Sequence, residues 1–434
     1  MATVYPNSMT TPTNDRVILL TPSLTYRATA FLEAAARLKL EVVRGLDMPS
    51  PLAKYWHPTL PLDFRAPDRA VRDLVRFARA HPVRAILSVD DAATVIAARA
   101  CEELGLSHNP PAAAAAARDK YLMRQALDRG KAPGARWLRY HTDADPEVIA
   151  RDVEYPCVVK PTQLSASQGV IRANTPDQFM DAFRRSRAIV LAAGGEPGMG
   201  GAGHLLVEEY IPGAEVVLEG LLAQGRLHTL ALFDKPDPLV GPFFEETIYT
   251  IPSRLSEAAQ RATTDCCSAA CAALGLREGP IHAEFRVNER GPWVLEVAAR
   301  SIGGLCSRIL QFGAGNVSLE ELILSHAMGY SPSYERELGA GGVMMIPIPG
   351  AGVLRAVEGL EEARAVPGIE EIEITLPLKH NLVPLPEGSS YLGFIFARAE
   401  RPEQAEAALR AAHRRIRFLV TPHYRLMAQS REEG

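Results

Sequence analysis

Over residues 15–104 short apolar runs alternate with longer amphipathic stretches. Residues 15–23, 39–46 and 83–90 read as buried strands, and 27–38, 68–80 and 92–104 as the helices that follow or separate them. Alternation at this spacing predicts a parallel, doubly wound α/β sheet over residues 1–108. Residues 110–130, opened by prolines and closed by glycine, predict a single linking helix within 109–135.

The pattern then changes from α/β to α+β. Residues 155–160 and 170–173 read as strands around a small-residue loop, and 177–187 as a helix running into a glycine-rich surface linker at 192–203. A strand at 204–211 stops at Pro212-Gly213. A hairpin (215–223, 226–233), an irregular loop (234–250) and a helix (256–273) follow, with another helix at 318–328. From residue 339 the pattern restarts: strand 343–347, helix 357–365, strands 371–376 and 391–399, and helix 403–418 predict a small α+β cap. The expected units are therefore 136–212, 213–336 and 337–434.

The clearest period-two stretch is 281–304. Ile281, Ala283, Phe285 and Val287 alternate with His282, Glu284 and Arg286, and Trp293, Leu295, Val297 and Ala299 alternate with Glu296, Ala298 and Arg300. Making both apolar faces coincide selects a three-residue loop, Glu289-Arg290-Gly291. Glu284 then lies opposite Glu296, with Cβ atoms about 4.5 to 5.5 Å apart. Two carboxylates this close call for a cation. Oxygen ligands on a rigid hairpin suit Mg²⁺, while Arg286 and Arg300 offer a purely structural neutralisation.

Composition narrows the classes. The 434 residues suffice for two to four compact units, and 47% hydrophobic with 23% charged is ordinary for a globular chain. A net charge of −4 provides no field for polyanions, which argues against nucleic acid; the basic run at 413–417 reads as a solvated helix face. Six cysteines lack CxxC spacing, and Cys267 and Cys271, one helical turn apart, have no third ligand in register. The first fifteen residues have no apolar signal core and no run approaches eighteen apolar residues, so no membrane association and a cytoplasmic location are expected. The first strand leads into TPSLTYRATA without a glycine turn, which excludes a dinucleotide fingerprint there.

Lys160 followed by Thr162, Ser165, Ser167 and Gly169 has the chemistry of a phosphate cover, a point charge beside backbone N–H groups left open by small residues. In Glu208-Glu209-Tyr210-Ile211, backbone freed before Pro212 can pair with an adenine edge, Glu208 can accept from its amino group, and Glu215 can take ribose hydroxyls. A helix bearing Asp119-Lys120, the VVKP strand with its loop, the EEYIPGAE turn, and two glutamates twelve apart with an arginine four later together resemble the ATP-grasp superfamily. The resemblance spans Lys120 to Gly304. It implies an ATP-grasp fold with Lys120 and Lys160 on phosphates, Glu208 to Ile211 on adenine, and Glu215 on ribose. It also implies Glu284 and Glu296 on Mg²⁺ (with Mn²⁺ as a substitute), and Arg300 on the reacting carboxyl-phosphate. Where many members carry an asparagine, this chain has Ala298, and His282 faces that position.

The EVAAR form, the DKPDPL…GPFFEETIY loop and the C-terminal module look like the carboxylate-amine ligases that include the L-amino-acid ligases. That resemblance implies small-molecule substrates, a homodimer, and a dipeptide made through an acyl phosphate. Arg300 and the N–H groups around Ser301, Gly303 and Gly304 would stabilise the oxyanion, and Glu245 and Glu246 would bind a substrate ammonium. The alternatives are a non-amino-acid amine such as a polyamine, a carboxyphosphate route for which the chain has no biotinyl domain, and a nucleotide-binding regulator without catalysis.

Overall fold

The computed structural model describes residues 15–423, except 24, 26, 57–59, 195–202 and 338. Residues 195–202 of the proposed linker at 192–203, and the first fourteen residues, thus lie outside the described residues.

The N-terminal sheet is all parallel, in the order Leu60–Leu62, Glu41–Asp47, Arg16–Thr21, Ala85–Ser88. Its first strand is continuously apolar because both faces are covered. Val17 and Leu19 pack with Phe31 and Ala34 of helix Arg27–Arg37, while Ile18 and Leu20 pack with Leu74 of Pro67–Ala80 and Ile96 of Thr94–Leu104. Helix Ser50–Trp56 and the edge strand Leu60–Leu62 escape the sequence reading, since a three-residue strand carrying Pro61 shows no period.

The linking segment is two helices rather than one. Pro111–Arg118 ends at Asp119, which is extended (φ −112, ψ 113), and Lys120–Gly130 begins a new helix. The Asp119 carboxylate caps it by accepting from the N–H groups of Tyr121 (2.9 Å) and Leu122 (3.2 Å). The alanine tract hides this break, because helical periodicity continues across it. The break puts Lys120 at a helix start, its N–H bonded to the Thr162 carbonyl at 2.9 Å.

A four-stranded antiparallel sheet follows, ordered Trp137–His141, His204–Glu209, Cys157–Pro161, Ile171–Ala173, and helix Pro176–Ala192 packs on it. The main sheet has eight strands: Gly291–Ala298, Gly279–Asn288, Ala214–Ala223, Arg226–Lys235, Ile248–Ile251, Ala340–Ile346, Gly393–Ala399 and Ile369–Ile374. The last three come from the C-terminal module, so the sheet continues past residue 337. Two helices there are corrected. Residues 352–358 are a strand followed by the short helix Leu360–Arg364, and Pro402–His413 ends before a further strand, Arg417–Thr421.

The hairpin differs from expectation in an instructive way. Its loop has two residues, with Asn288 paired to Gly291, and the register shifts one position at a bulge between Glu284/Phe285 and Val294/Glu296. The bulged residue, Leu295, leaves the core; Val294 and Val297 are the buried pair. Glu284 still faces Glu296, because the bulge replaces the extra loop residue.

Candidate active site

The three sheets meet around a cleft of about 440 Å³. The small antiparallel sheet supplies Lys160 from strand Cys157–Pro161 and Ser165 and Ser167 from the loop after it. The opposite wall is the main sheet, contributing Glu215, His282, Glu284, Arg286 and Glu296. The N-terminal domain reaches in with Thr25, Arg27, Asp90 and Asp91, which follow the carboxyl ends of the neighbouring strands Arg16–Thr21 and Ala85–Ser88. Residues beyond the carboxyl ends of parallel strands are where such sheets present ligand groups.

Lys120 Nζ donates to the Leu164 carbonyl (2.8 Å) and pairs with Glu296 (3.1 Å). Lys160 Nζ pairs with Glu208 Oε2 at 2.8 Å. Glu208 is 2% exposed, and Arg124 grips both its oxygens, Nε to Oε1 at 2.7 Å and Nη2 to Oε2 at 3.0 Å. Burial opposes its charge, but Arg124 and then Lys160 pull its pKa down to about 2. Its side chain is therefore engaged in holding Lys160, and adenine contact would fall to backbone at Glu209 to Ile211. Glu209 and Tyr210 line the cleft; the former pairs with Arg136 (2.9 Å), and the Arg172 guanidinium lies 3.8 Å over the Tyr210 ring.

Glu215 is buried between Lys235 (2.7 Å) and Arg286 (2.8 Å). Oxygens of Glu215, Glu246 and Glu284 come within 4.8 Å of one another. Lys235 is the cation among them, 2.6 Å from Glu246 and 3.4 Å from Glu284. Burial pulls the Lys235 pKa down, but the three glutamates hold it well above its ordinary value. The cations closest to the facing glutamates are thus Lys235 and His282 at Glu284 and Lys120 at Glu296, whereas Arg286 pairs with Glu215 and Arg300 with Asp91. The clustered donors Glu215, Glu246 and Glu284 are all carboxylate oxygens, the donor type a hard cation such as Mg²⁺ takes; Glu296, facing Glu284 across the hairpin, lies outside that cluster and pairs with Lys120.

His282 stands opposite Ala298, as the alternation requires. Its Nδ1 bonds Glu219 and its Nε2 lies 3.4 Å from Glu284. Burial opposes protonation, yet Glu219 and Glu284 hold its pKa up at about 9. Glu219 also accepts from the Ile302 N–H at 3.0 Å, tying the histidine to the turn after the hairpin. Arg300 Nε donates to Asp91 at 2.9 Å and its Nη1 to the Ser301 carbonyl at 3.0 Å. Gly303 and Gly304 line the cleft.

Three expected site residues sit elsewhere. Gly169 does not line the cleft: its N–H is taken by the Pro386 carbonyl, φ is +72, and a Cβ would strike Pro161 at 2.7 Å. The Ser301 hydroxyl is buried against Arg27. Glu245 is outside the lining, whereas Glu246 is inside it, bonded to Lys235 and to the Tyr249 hydroxyl (2.6 Å). The loop carrying them is tied at two points: the Pro242 carbonyl accepts from the Arg172 N–H at 2.8 Å, and Asp237 pairs with Arg410 at 2.5 Å. The cysteines are buried, and the hydrogen bond with Cys271, then burial, push the Cys267 pKa up.

Arg27, Asp91, Arg124, Lys235 and Tyr249 are missing from the sequence reading. Arg124 lies four residues after Lys120 on one helix face, and Asp91 ends the SVDD run after a strand, so those two carried weak local signals. Lys235 closes an apolar strand and carried none.

Three family models match in succession: "ATP-grasp N-terminal domain" over residues 32–108, "ATP-grasp domain" over 153–309 and "L-amino acid ligase C-terminal domain 2" over 344–421. The crystal structure of L-amino acid ligase from Bacillus licheniformis superposes with a TM-score of 0.79 at 26% identity, covering 95% of this chain and 100% of that one. Alanine–anticapsin ligase of Bacillus subtilis is 27% identical over 285 residues, 62% of this chain and 60% of that protein. Dapdiamide A synthase of Enterobacter agglomerans is 27% identical over 260 residues, 59% of each. The matched region thus spans about 60% of the length of these curated relatives. No helix among the described residues is long and apolar enough to cross a membrane.

Proposed function

Because the chain has the ATP-grasp fold with the C-terminal domain of L-amino acid ligases, we propose that it is an ATP-dependent, ADP-forming ligase that joins two amino acids through an acyl phosphate. The observation that carries this reading is the convergence in one cleft of Lys120, Lys160, the Glu284–Glu296 pair and Arg300. The likeness to an alanine–anticapsin ligase and to a dapdiamide A synthase supports it.

ATP would lie between the small sheet and the main sheet, with Lys120 and Lys160 on its phosphates and the 162–168 loop closing over them. Glu284 and Glu296 would hold Mg²⁺, which supplies charge neutralisation for the phosphates. Arg124, through Glu208, fixes the height of Lys160. A substrate carboxylate oxygen attacks the γ-phosphorus, and the bond from that phosphorus to the β-bridging oxygen breaks to release ADP. The amine of the second amino acid then attacks the acyl carbon, its proton is lost, and phosphate departs with the C–O electron pair. Arg300, steadied by Asp91, stands where it can bind the carboxyl oxygens in both steps, with N–H groups near Gly303 and Gly304 beside it. Glu246 would take the ammonium of the first amino acid, with Lys235 moving off it toward phosphate.

A pairwise screen of amino acids for ADP release, with mass spectrometry of products, tests the proposal. A product mass equal to two amino acids less water, appearing with stoichiometric ADP, is expected. ATP binding without turnover under every pair would instead support a nucleotide-binding regulator.

A further inference from the structure

Four arginines line or floor the cleft, and three have a carboxylate partner: Arg124 on Glu208, Arg286 on Glu215, Arg300 on Asp91. Arg27 differs. It is 7% exposed at the first turn of helix Arg27–Arg37, and its guanidinium faces the cleft. Its side-chain bond is from Nη2 to the Ser301 hydroxyl, at 2.5 Å. Among the described residues it makes no ion pair. Asp90, Asp91 and Glu320 act on it from a distance, Asp91 being taken by Arg300 and Glu320 bonded to the Ser307 hydroxyl at 2.7 Å. Burial, and then the neighbouring Arg300, pull its pKa down. A guanidinium cannot discharge in a protein, so a buried unpaired one is costly to keep. The cost makes sense where a ligand brings the missing anion.

Resting on the ligase reading above, we propose that Arg27, positioned by its bond to the buried Ser301 hydroxyl, binds the free carboxylate of the amine-bearing substrate, which makes that substrate an amino acid and not a simple amine or polyamine. The planar fork left open at Arg27 matches a carboxylate's two oxygens, and the helix N-terminus at the same residue adds favourable dipole. The triphosphate has its own cations, Lys120 and Lys160, across the cleft. The first substrate's carboxylate is consumed in the reaction and belongs with Arg300. Only the second substrate keeps a carboxylate, and a cation beside Arg300 would hold it within reach of the acyl carbon. Arg27 therefore sets acceptor specificity from the N-terminal domain.

Two measurements test this on the full chain with ADP or ATP and Mg²⁺. Thermal shift is read across the twenty L-amino acids and their carboxamides for wild type, Arg27→Gln and Arg27→Lys. Amino acids that stabilise the wild type only as free acids should need at least tenfold more ligand in Arg27→Gln and less of an increase in Arg27→Lys. In turnover, Arg27→Gln should raise KM for the acceptor acid about 10- to 100-fold, the worth of a charge-assisted bidentate pair. KM for ATP should hold, and use of the acceptor carboxamide should change less than threefold. Because the substitution removes an unpaired buried charge, the melting temperature of the unliganded variant should hold or rise. Equal losses for acid and carboxamide, or no amino acid whose binding depends on Arg27, overturn the proposal. Arg27-dependent carboxylate binding with no ADP release from any pair leaves this site standing and overturns the ligase reading instead.

Discussion

The Asp91 carboxylate and the Arg300 guanidinium meet at 2.9 Å across 209 residues of sequence, joining the N-terminal parallel sheet to the end of the glutamate hairpin. The contact is shielded, and Asp91 holds Arg300 well above the ordinary arginine range despite burial. A cation fixed in this way costs little reorganisation when negative charge develops beside it. Asp91→Asn keeps the shape and loses the charge. It is expected to lower kcat about 10- to 100-fold while KM for ATP moves less than threefold, because Asp91 acts through Arg300. Initial rates of ADP release decide it; a matched rise in ATP KM would mean that Asp91 shapes the whole cleft.

The pair beneath Lys160 predicts an acid sensitivity. Glu208 is held at a pKa of about 2, below its ordinary 4.5, so its pairing contributes stability that is fully present above pH 4.5 and is lost as pH falls from 4.5 through 2. Glu208→Gln should cost about 3 to 5 kcal/mol at neutral pH, since Arg124 is left buried without its counter-charge. The same variant should show a flatter loss of stability over that acid window. Urea denaturation at a series of pH values measures both. A variant that unfolds at the wild-type urea concentration at pH 7 would show the pair to be dispensable.

Adjacent glutamates on the cleft loop should behave oppositely. Glu246 lines the cleft and Glu245 points away from it, near the Ile348 backbone. If Glu246 receives the substrate ammonium, Glu246→Gln raises KM for the first amino acid about tenfold, in line with one charge-assisted hydrogen bond, and Glu245→Gln leaves it within twofold. Steady-state kinetics at saturating ATP distinguish them. Equal effects from the two variants would remove the assignment.

What the chain discloses before folding depends on whether a feature is local. The doubly wound sheet, the lysine strand and loop, and Glu284 facing Glu296 are all written in short-range periods, and each is found. The bulge at Leu295 is invisible to a strict period-two reading, which reached the Glu284–Glu296 pairing through a longer loop and set the turn-side half of the hairpin one residue out of register. The break at Asp119 is hidden in an alanine run where both sides are helical. The arginine partners are a different matter. Glu208 to Arg124, Asp91 to Arg300 and Arg27 to Ser301 join segments 84, 209 and 274 residues apart, and no local pattern encodes such pairings. The C-terminal strands look like a separate module because the sequence restarts its pattern there, while the sheet that includes them is defined by hydrogen bonds from Ile248–Ile251 to Ala340–Ile346.

Lys235 offers the sharpest test of how the carboxylates are managed. Its ammonium lies 2.7, 2.6 and 3.4 Å from Glu215, Glu246 and Glu284, and burial makes each of those charges expensive without it. Lys235→Met keeps most of the side-chain volume and removes the cation. In chelator the variant should lose about 3 to 5 kcal/mol of stability, the cost of buried charges stripped of a partner. A divalent ion can then do what the lysine did, because the oxygens of these three residues already lie within 4.8 Å of one another. Mn²⁺ at 100 times its dissociation constant should return about 2.7 kcal/mol to the variant. In the wild type, where the lysine competes for the same oxygens, Mn²⁺ without nucleotide should stabilise less. Melting curves in chelator and in Mn²⁺, with the spin signal of free Mn²⁺ as a direct binding readout, separate the cases. Weaker Mn²⁺ binding in Lys235→Met than in the wild type would mean that the lysine organises the carboxylates for the metal and does not hold its place.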